Sequence, residues 1–440
     1  MIIGNGKLIT NNEEQPLIEN GAVVIDKNEI IDFGPTKDMR KKFAEKEFHD
    51  VEGRVIMPGM INCHTHIYSA FGRGMSVSKP TRDFIEILEN QWWALDKKLT
   101  LEASEKSAYG TLIESVRNGV TTVFDHHASP YHIEESLFRI AKACEDVGMR
   151  ADLCYEVSDR DGLEITKAGI KENIDFIKAY NTSKQDLIHG HFGLHASFTI
   201  SNETMELIKE AMEGVDAGYH IHCAEGIEDE YDSLEKYGQR VIERFQGWDM
   251  LGEKTLAIHC CNVNNYEVKI LRDTNTNVVH NPESNMGNAV GVTPVLYMLN
   301  QGVRLGLGTD AYTNDMFESM KVAKILQSHT HADPTVGFNE SLQLQMVNNR
   351  DIASRFFDKK LGIIEKGAYA DIITLDYNNY TPITKDNIGG HILFGFSGRM
   401  TVDTIINGKF VMKEREIQTV DEERIFAETQ QLVPKIWKGL

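Results

Sequence analysis

Two histidines two residues apart, His64 and His66, close the stretch "PGMINCHTH". On a β-strand, residues i and i+2 share a face, so both imidazoles can reach one point in space, as ligands of a single metal ion must. The spacing alone is common in this chain, because His189/His191, His220/His222 and His329/His331 repeat it. Position distinguishes the first pair. Further polar residues end other apolar runs: His222 and Glu225 in "HIHCAE", His259 in "AIHCCNV", His280 in "VHNPESN" and Asp310 in "GLGTDA". Imidazole nitrogen with carboxylate oxygen suits zinc or ferrous iron. Three histidines and one aspartate would leave a position for water, whose pKa a divalent metal lowers from about 16 toward about 7.

Those residues need a scaffold that brings strand ends together. Eight apolar runs rich in β-branched residues recur: "RVIMPGMINCHTH", "GVTTVFDHH", "RADLCYEV", "HFGLHASFT", "GYHIHCAE", "TLAIHCCNV", "TNVVHNPESN" and "RLGLGTDA". Amphipathic segments of helix length, such as "EESLFRIAKACEDVG", separate them. Strands alternating with helices imply a parallel sheet, and eight such units predict an α/β fold, a (β/α)8 TIM-like barrel with its chemistry at the C-terminal strand ends. A buried parallel strand should be almost wholly apolar, so histidines and a carboxylate there need a reason, and convergence at one rim supplies it.

The chain ends read differently. "IIGNGKLI" places Asn5-Gly6 between apolar pairs, "AVVIDKNEIIDFG" has Asp26-Lys27-Asn28 at its turn, and "TIINGKFVMK" has Asn407-Gly408. These are hairpin signals, and "YADIITLD" reads as further β-structure. Isolated hairpins are marginal, so residues 1–54 and 363–440 are expected to form one small composite β-sandwich domain, with residues 55–362 inserted as the barrel. A last helix, roughly 421–438, is expected to lie over the β domain. The irregular stretch 71–100 exceeds an ordinary βα loop. Its Trp92 and Trp93 fit either a cover over the barrel mouth or a packed helix.

Bulk properties narrow the function. The 440-residue chain carries 46 basic and 66 acidic residues, a net charge of −20. That argues against nucleic acid and against anionic membrane surfaces. No signal peptide or membrane-length apolar run is evident. The six scattered cysteines read as buried, reduced thiols of a cytoplasmic protein.

Taken in order, "GRVIMPGMINCHTH", "HIHCAE", "AIHCCNV", "VHNPESN", "GLGTDA" and the flanking "GIIEKGAYADIITLD" and "INGKFVM" resemble the amidohydrolase superfamily over essentially the whole chain. Within it they resemble the mononuclear aminohydrolases, a branch with guanine deaminases, adenosine-derivative deaminases and triazine hydrolases. The resemblance implies a metal held by His64, His66, His222 and Asp310, a proton shuttle at Glu225, and His259 orienting the nucleophile or the tetrahedral intermediate. Asp310 thereby joins Glu225 and His259 in the catalytic set. Binuclear relatives carry a carboxylated lysine at strand four. "HFGLHASFT" has none, so one divalent metal per chain is expected, zinc or else ferrous iron. His195 looks like a substrate contact, and His280, Trp92 and His126 are further candidates for lining the pocket.

The expected activity is hydrolysis of a non-peptide C–N bond in a purine- or pyrimidine-derived heterocycle, by deamination or ring opening. Chlorohydrolase-type dehalogenation would use the same nucleophile. A non-catalytic scaffold should have lost one of the five metal-binding and proton-shuttle residues, His64, His66, His222, Glu225 or Asp310, and none is missing. Expected partners are a small nitrogen heterocycle and at most further copies of the chain in a homo-oligomer, with no nucleic acid and no membrane. His189/His191 and His329/His331 are read as lacking a convergent carboxylate and receive no role. "HIE" at 132–134 has no Pro-Cys-x-x-Cys after it, so a cytidine-deaminase zinc motif is absent.

Overall fold

A computed structural model describes residues 1–183 and 185–440. In chain order, five strands come first: β1 (Ile2–Ile9), β2 (Leu17–Asp26), β3 (Glu29–Pro35), β4 (Phe48–Asp50) and β5 (Val55–Pro58). Nine strands follow in the middle: β6 (Met60–Thr65), β7 (Val120–His127), β8 (Arg150–Tyr155), β9 (Ile188–Gly190), β10 (Phe192–Ala196), β11 (Tyr219–Cys223), β12 (Leu256–His259), β13 (Asn277–His280) and β14 (Arg304–Leu307). Four close the chain: β15 (Ile372–Leu375), β16 (Thr401–Ile406), β17 (Lys409–Lys413) and β18 (Glu416–Ile417).

The eight apolar runs each contain one middle strand, and β9 is an addition. All pair in parallel, in two arcs of order β6-β7-β8-β9 and β10-β11-β12-β13-β14. Single bridges join the arcs at both seams, Val157 with Leu194 and Thr65 with Asp310. The second seam lies beside the histidine pair: the amides of Thr309 and Asp310 both donate to the His64 carbonyl at 3.0 Å. Helices between the strands carry ordinary stop and start signals. Asn264 caps Asn265–Asp273 in a capping box with Glu267, and Ser136–Val147 ends at left-handed Gly148.

Strands from both chain ends share one nine-stranded sheet, in which β15 pairs antiparallel with β5. β5 belongs to it although it begins at residue 55, so the first apolar run supplies two sheets. Gly59 marks the crossing. A Cβ there would stand 2.2 Å from the Thr121 side chain, so only glycine fits. Asn407-Gly408 makes the expected tight turn, with φ of 52° and 75°. The turn after Asp26 also forms, with Lys27 left-handed. Asn5-Gly6, however, is no hairpin. It is a bulge within continuous β1, whose pairing with β2 shifts register there.

The last helix, Glu422–Ile436, packs against Leu101–Arg117 and the turn after β6 instead of lying over the β-sheet. Its end carries Leu432, Val433, Ile436 and Trp437, which join Tyr68, Phe71 and Leu99 in one apolar cluster. Arg117 pairs with Glu422, and the Trp437 indole donates to the Phe71 carbonyl at 2.7 Å. Residues 84–96 form a helix with a wide π turn across Leu88–Trp92. Among the described residues no helix is long and apolar enough to cross a membrane. All six cysteines are unpaired, five of them buried.

Candidate active site

The strands end in bends that aim their last side chains inward. Ala224, His259, Cys260 and Asp310 all have left-handed backbones, with φ of 47°, 69°, 51° and 53°. Each costs a non-glycine residue roughly 1–2 kcal/mol. Such strain persists only where the surroundings over-determine it. Here Asp229 accepts from the amides of Ala224 and Phe198, both at 2.9 Å, and holds the bend after β11. That bend brings Glu225 toward the same centre as His222, although three residues separate them.

The His66, His222 and His64 rings meet Asp310 at one point. The His66 Nδ1–H donates to the His126 carbonyl at 2.7 Å, and the His222 Nδ1–H donates to the His195 carbonyl at 2.9 Å. Burial lowers the pKa of both rings, well below the usual range for His222, so both are neutral and each Nε2 carries a lone pair. Those two lone pairs face each other at 3.2 Å. Asp310 Oδ1 lies 3.2 Å from His66 Nε2 and 3.7 Å from His64 Nε2, which makes no hydrogen bond. The two facing lone pairs and the carboxylate beside them fit a cation there, and with His64 Nε2 the N3O donor set suits a divalent transition metal. The backbone carbonyls behind the rings fix orientation as outer-shell partners of metal-ligating histidines do.

Glu225 and His259 stand at the edge of this cluster. Glu225 Oε2 is 3.5 Å from His259 Nε2, and Asn288 Nδ2 donates to Oε1 at 3.2 Å. Burial raises the Glu225 carboxyl to about 7. His259 opposes that shift and Asp310 adds to it. His259 Nδ1 faces Asn285 Oδ1 at 2.8 Å, so Nε2 is the nitrogen aimed at Glu225 and, at 3.8 Å, at Asp310 Oδ2. Ser284 donates to the same Asp310 oxygen.

A cleft opens over these groups, lined in part by His66, His222, Glu225, Asp310, His195 and Trp92. Trp92 and Trp93 do both things the sequence allowed: they lie on a helix, and they wall the cleft. The Trp93 ring meets His195 edge-on at 5.7 Å, and π turns of this kind are frequent at functional sites. His195 Nδ1 bonds Thr199 Oγ1 at 2.8 Å, and burial lowers its pKa to about 4.

Two candidate substrate contacts do not reach the cleft. His126 is fully buried, with Nε2 3.0 Å from the Leu194 carbonyl and 3.2 Å from that of His220. It ties strands together beneath the floor. His280 is also fully buried. Its Nδ1 meets Thr293 Oγ1, and Thr293 in turn donates to the His259 carbonyl at 2.7 Å. A second correction concerns His189 and His191, which do share a carboxylate: both Nδ1 atoms bond Asp152. His191 Nε2 is taken by the Lys254 carbonyl at 2.9 Å.

Sequence reasoning passed over Glu156, Ser284, Asn288, Tyr68 and Tyr312, which also line the cleft. Glu156 carried a usable signal, since it directly follows the apolar run of β8, as His259 ends that of β12. Ser284 and Asn288 follow β13 on a short helix, Pro282–Gly287, and its C-cap, where no local pattern singles them out.

Parallel strands with a histidine–carboxylate cluster at their C-terminal ends define a metal-dependent hydrolase class. The amidohydrolase family model matches residues 55–411, and the chain belongs to the amidohydrolase family, hydrolases of C–N bonds other than peptide bonds. It is 30% identical to a 5-methylthioadenosine/S-adenosylhomocysteine deaminase of Desulforudis audaxviator, over 94% of this chain and 95% of the relative. It is 29% identical to a 5'-deoxyadenosine deaminase of Methanosarcina mazei, over 99% of this chain and 98% of the relative. The fold superposes on a zinc-bound adenosine deaminase from Xanthomonas campestris with a TM-score of 0.88, at 23% identity, covering 99% of this chain and 98% of that one.

Proposed function

We propose that this chain deaminates a purine-type heterocycle, replacing an exocyclic amino group by oxygen and releasing ammonia, with one zinc ion held by His64, His66, His222 and Asp310. The observation that carries the proposal is Glu225, a buried carboxylate beside both the inward-facing His259 Nε2 and Asp310. The deaminase names of relatives that match nearly end to end point the same way. We also read the two arcs as one (β/α)8 barrel and the nine-stranded sheet as a composite domain from residues 1–54 and 363–420, extended to include β5.

When bound, a divalent metal lowers the pKa of water toward about 7 and makes hydroxide available at neutral pH. Glu225 takes a proton as the nucleophile adds to the amidine carbon and returns it to the departing nitrogen, which leaves poorly unless protonated. A carboxyl poised near neutrality is suited to both transfers. His259, held by Asn285, donates no proton from Nε2 in this tautomer; it orients the nucleophile and takes positive character as charge develops. Asn288 keeps Glu225 in place. Trp92 and Trp93 exclude water and stack on a flat ring.

Ammonia release from a panel of free bases and nucleosides, with the metal content of the same preparation, tests the proposal. One equivalent of zinc and stoichiometric ammonia support it. Loss of ring absorbance without ammonia, or two required metals, refutes it.

A further inference from the structure

One carboxylate in the cleft has no task in the deamination proposed above. Glu156 directly follows β8, and its amide still pairs with the His127 carbonyl at 2.7 Å. Its side chain is 4% exposed, and that exposure is to the cleft. A Glu156 carboxylate oxygen and ring nitrogens of His195 and His222 lie within 4.8 Å of one another, so Glu156 is next to the reaction centre. Glu225 occupies a different flank, with partners on β12, after β13 and after β14, whereas Glu156 meets His126 of β7 and His195 of β10.

Arg160 favours the charged form of Glu156, with Nη2 standing 3.7 Å from Oε1, and His126 Nδ1 stands 3.3 Å from Oε2. Arg160 is itself committed behind Glu156. It bonds Asp96 at 2.5 Å, lies 3.5 Å from Asp161, and stacks over Trp93 at 5.0 Å. It is absent from the cleft wall, so the group presented to a ligand is the carboxylate and not the guanidinium. An ionised carboxylate only accepts hydrogen bonds. A ligand atom with a lone pair opposite it is repelled, and a ligand N–H is bound.

Resting on the deamination reading, we propose that Glu156 is a specificity-determining residue that accepts a hydrogen bond from a ring N–H flanking the reacting carbon, so that the substrate is a 2-amino-lactam ring of the guanine type and not an adenine-type ring. The carbon that loses the amino group has two ring neighbours. In a guanine-type ring one neighbour is an unprotonated nitrogen, on the Glu225 flank, and the other is an N–H, from which Glu156 can accept a hydrogen bond. In an adenine-type ring one flank again suits Glu225. The other flank offers Glu156 a ring carbon with a lone-pair nitrogen beyond it and no donor. A site built around a substrate N–H rejects the analogue lacking it by about 10⁴–10⁵.

The test uses zinc-loaded full-length protein with guanine, 1-methylguanine and 5'-deoxyadenosine, scored by ammonia release as kcat/KM. The expected order is guanine above both others by at least about 10³, because methylation removes the N–H and leaves the rest of the ring. Glu156→Leu, which has no acceptor, should lower kcat/KM for guanine by about 10² or more and shrink the guanine to 1-methylguanine ratio, with zinc content unchanged. The comparison of guanine with 1-methylguanine on the unaltered protein stands even if the variant folds poorly. Equal rates for those two, or preference for 5'-deoxyadenosine, overturns this inference and leaves the deamination reading standing. No ammonia from any nitrogen heterocycle overturns both.

Discussion

Glu225→Gln removes the proposed proton carrier while keeping nearly every contact. The carbonyl of the new side chain would accept from Asn288 as Glu225 Oε1 does at 3.2 Å. Its amide nitrogen would occupy the place of Oε2, 3.5 Å from His259 Nε2. Because His259 directs Nδ1 to Asn285 at 2.8 Å, Nε2 carries a lone pair and can accept from that amide. The substitution therefore leaves no buried group unpaired and removes a negative charge from beside Asp310. Folding and metal content should hold. Turnover should not, because an amide neither takes a proton from the nucleophile nor delivers one to nitrogen. General acid–base catalysis contributes about 10²–10⁴-fold, which is about 2.7–5.4 kcal/mol on the barrier at about 1.36 kcal/mol per decade. The assay is steady-state ammonia release at neutral pH, with elemental analysis and a melting curve on the same sample. A variant that keeps about one metal, melts normally and retains most of its activity refutes the assignment, and His259 becomes the first candidate for the shuttle.

Asp310→Ala removes the one carboxylate of the His64–His66–His222 cluster, and elemental analysis should show loss of metal with far-UV circular dichroism unchanged, because a rim side chain is lost and no core volume. Gly408→Ala should destabilise the composite sheet by about 1–3 kcal/mol from left-handed strain alone. Its Cβ would also stand 1.8 Å from the Lys27 carbonyl on the other chain end. Gly110→Ala, in open space within a helix, should be neutral or stabilising in the same urea titration. Glu172 is buried, accepts from the amides of Glu135 and Leu137, and is raised to about 7 chiefly by that burial. A carboxyl with a raised folded pKa binds more protons folded than unfolded, so this contribution to stability falls as pH rises from about 4.5 to about 7. Denaturant titrations across that range should show a shallower decline in Glu172→Gln, and an unchanged slope refutes the assignment.

Much of this protein was legible in its sequence. The eight apolar runs found their strands because β-branched runs separated by amphipathic segments have few ways to bury both faces, and a parallel sheet under helices is the main one. His64, His66, His222 and Asp310 were legible because a histidine or carboxylate at the end of such a run contradicts its surroundings. Asn407-Gly408 was legible because both residues tolerate a left-handed backbone. Local pattern failed where the outcome depended on partners distant in the chain. Asn5-Gly6 carries the same dipeptide, but β1 continues through it, because β2, β4 and β5 all pair along β1 and a bulge preserves those ladders. The last helix could have packed on either part of the molecule. Its apolar end met Phe71 and Leu99, and neither lies near it in sequence. His126 and His280 looked like pocket residues because they follow strands, yet both are buried away from the cleft, with His126 Nε2 spent on distant carbonyls and His280 Nδ1 on the Thr293 hydroxyl. Glu156 became a cleft residue only when Arg160 was drawn off to Asp96 behind it. Sequence alone determined the residue types at each strand end, since burial and periodicity are local properties. Which of those side chains face one another, and which are already satisfied, was decided by tertiary structure alone, because hydrogen-bond partners and charge pairs are set by proximity in space.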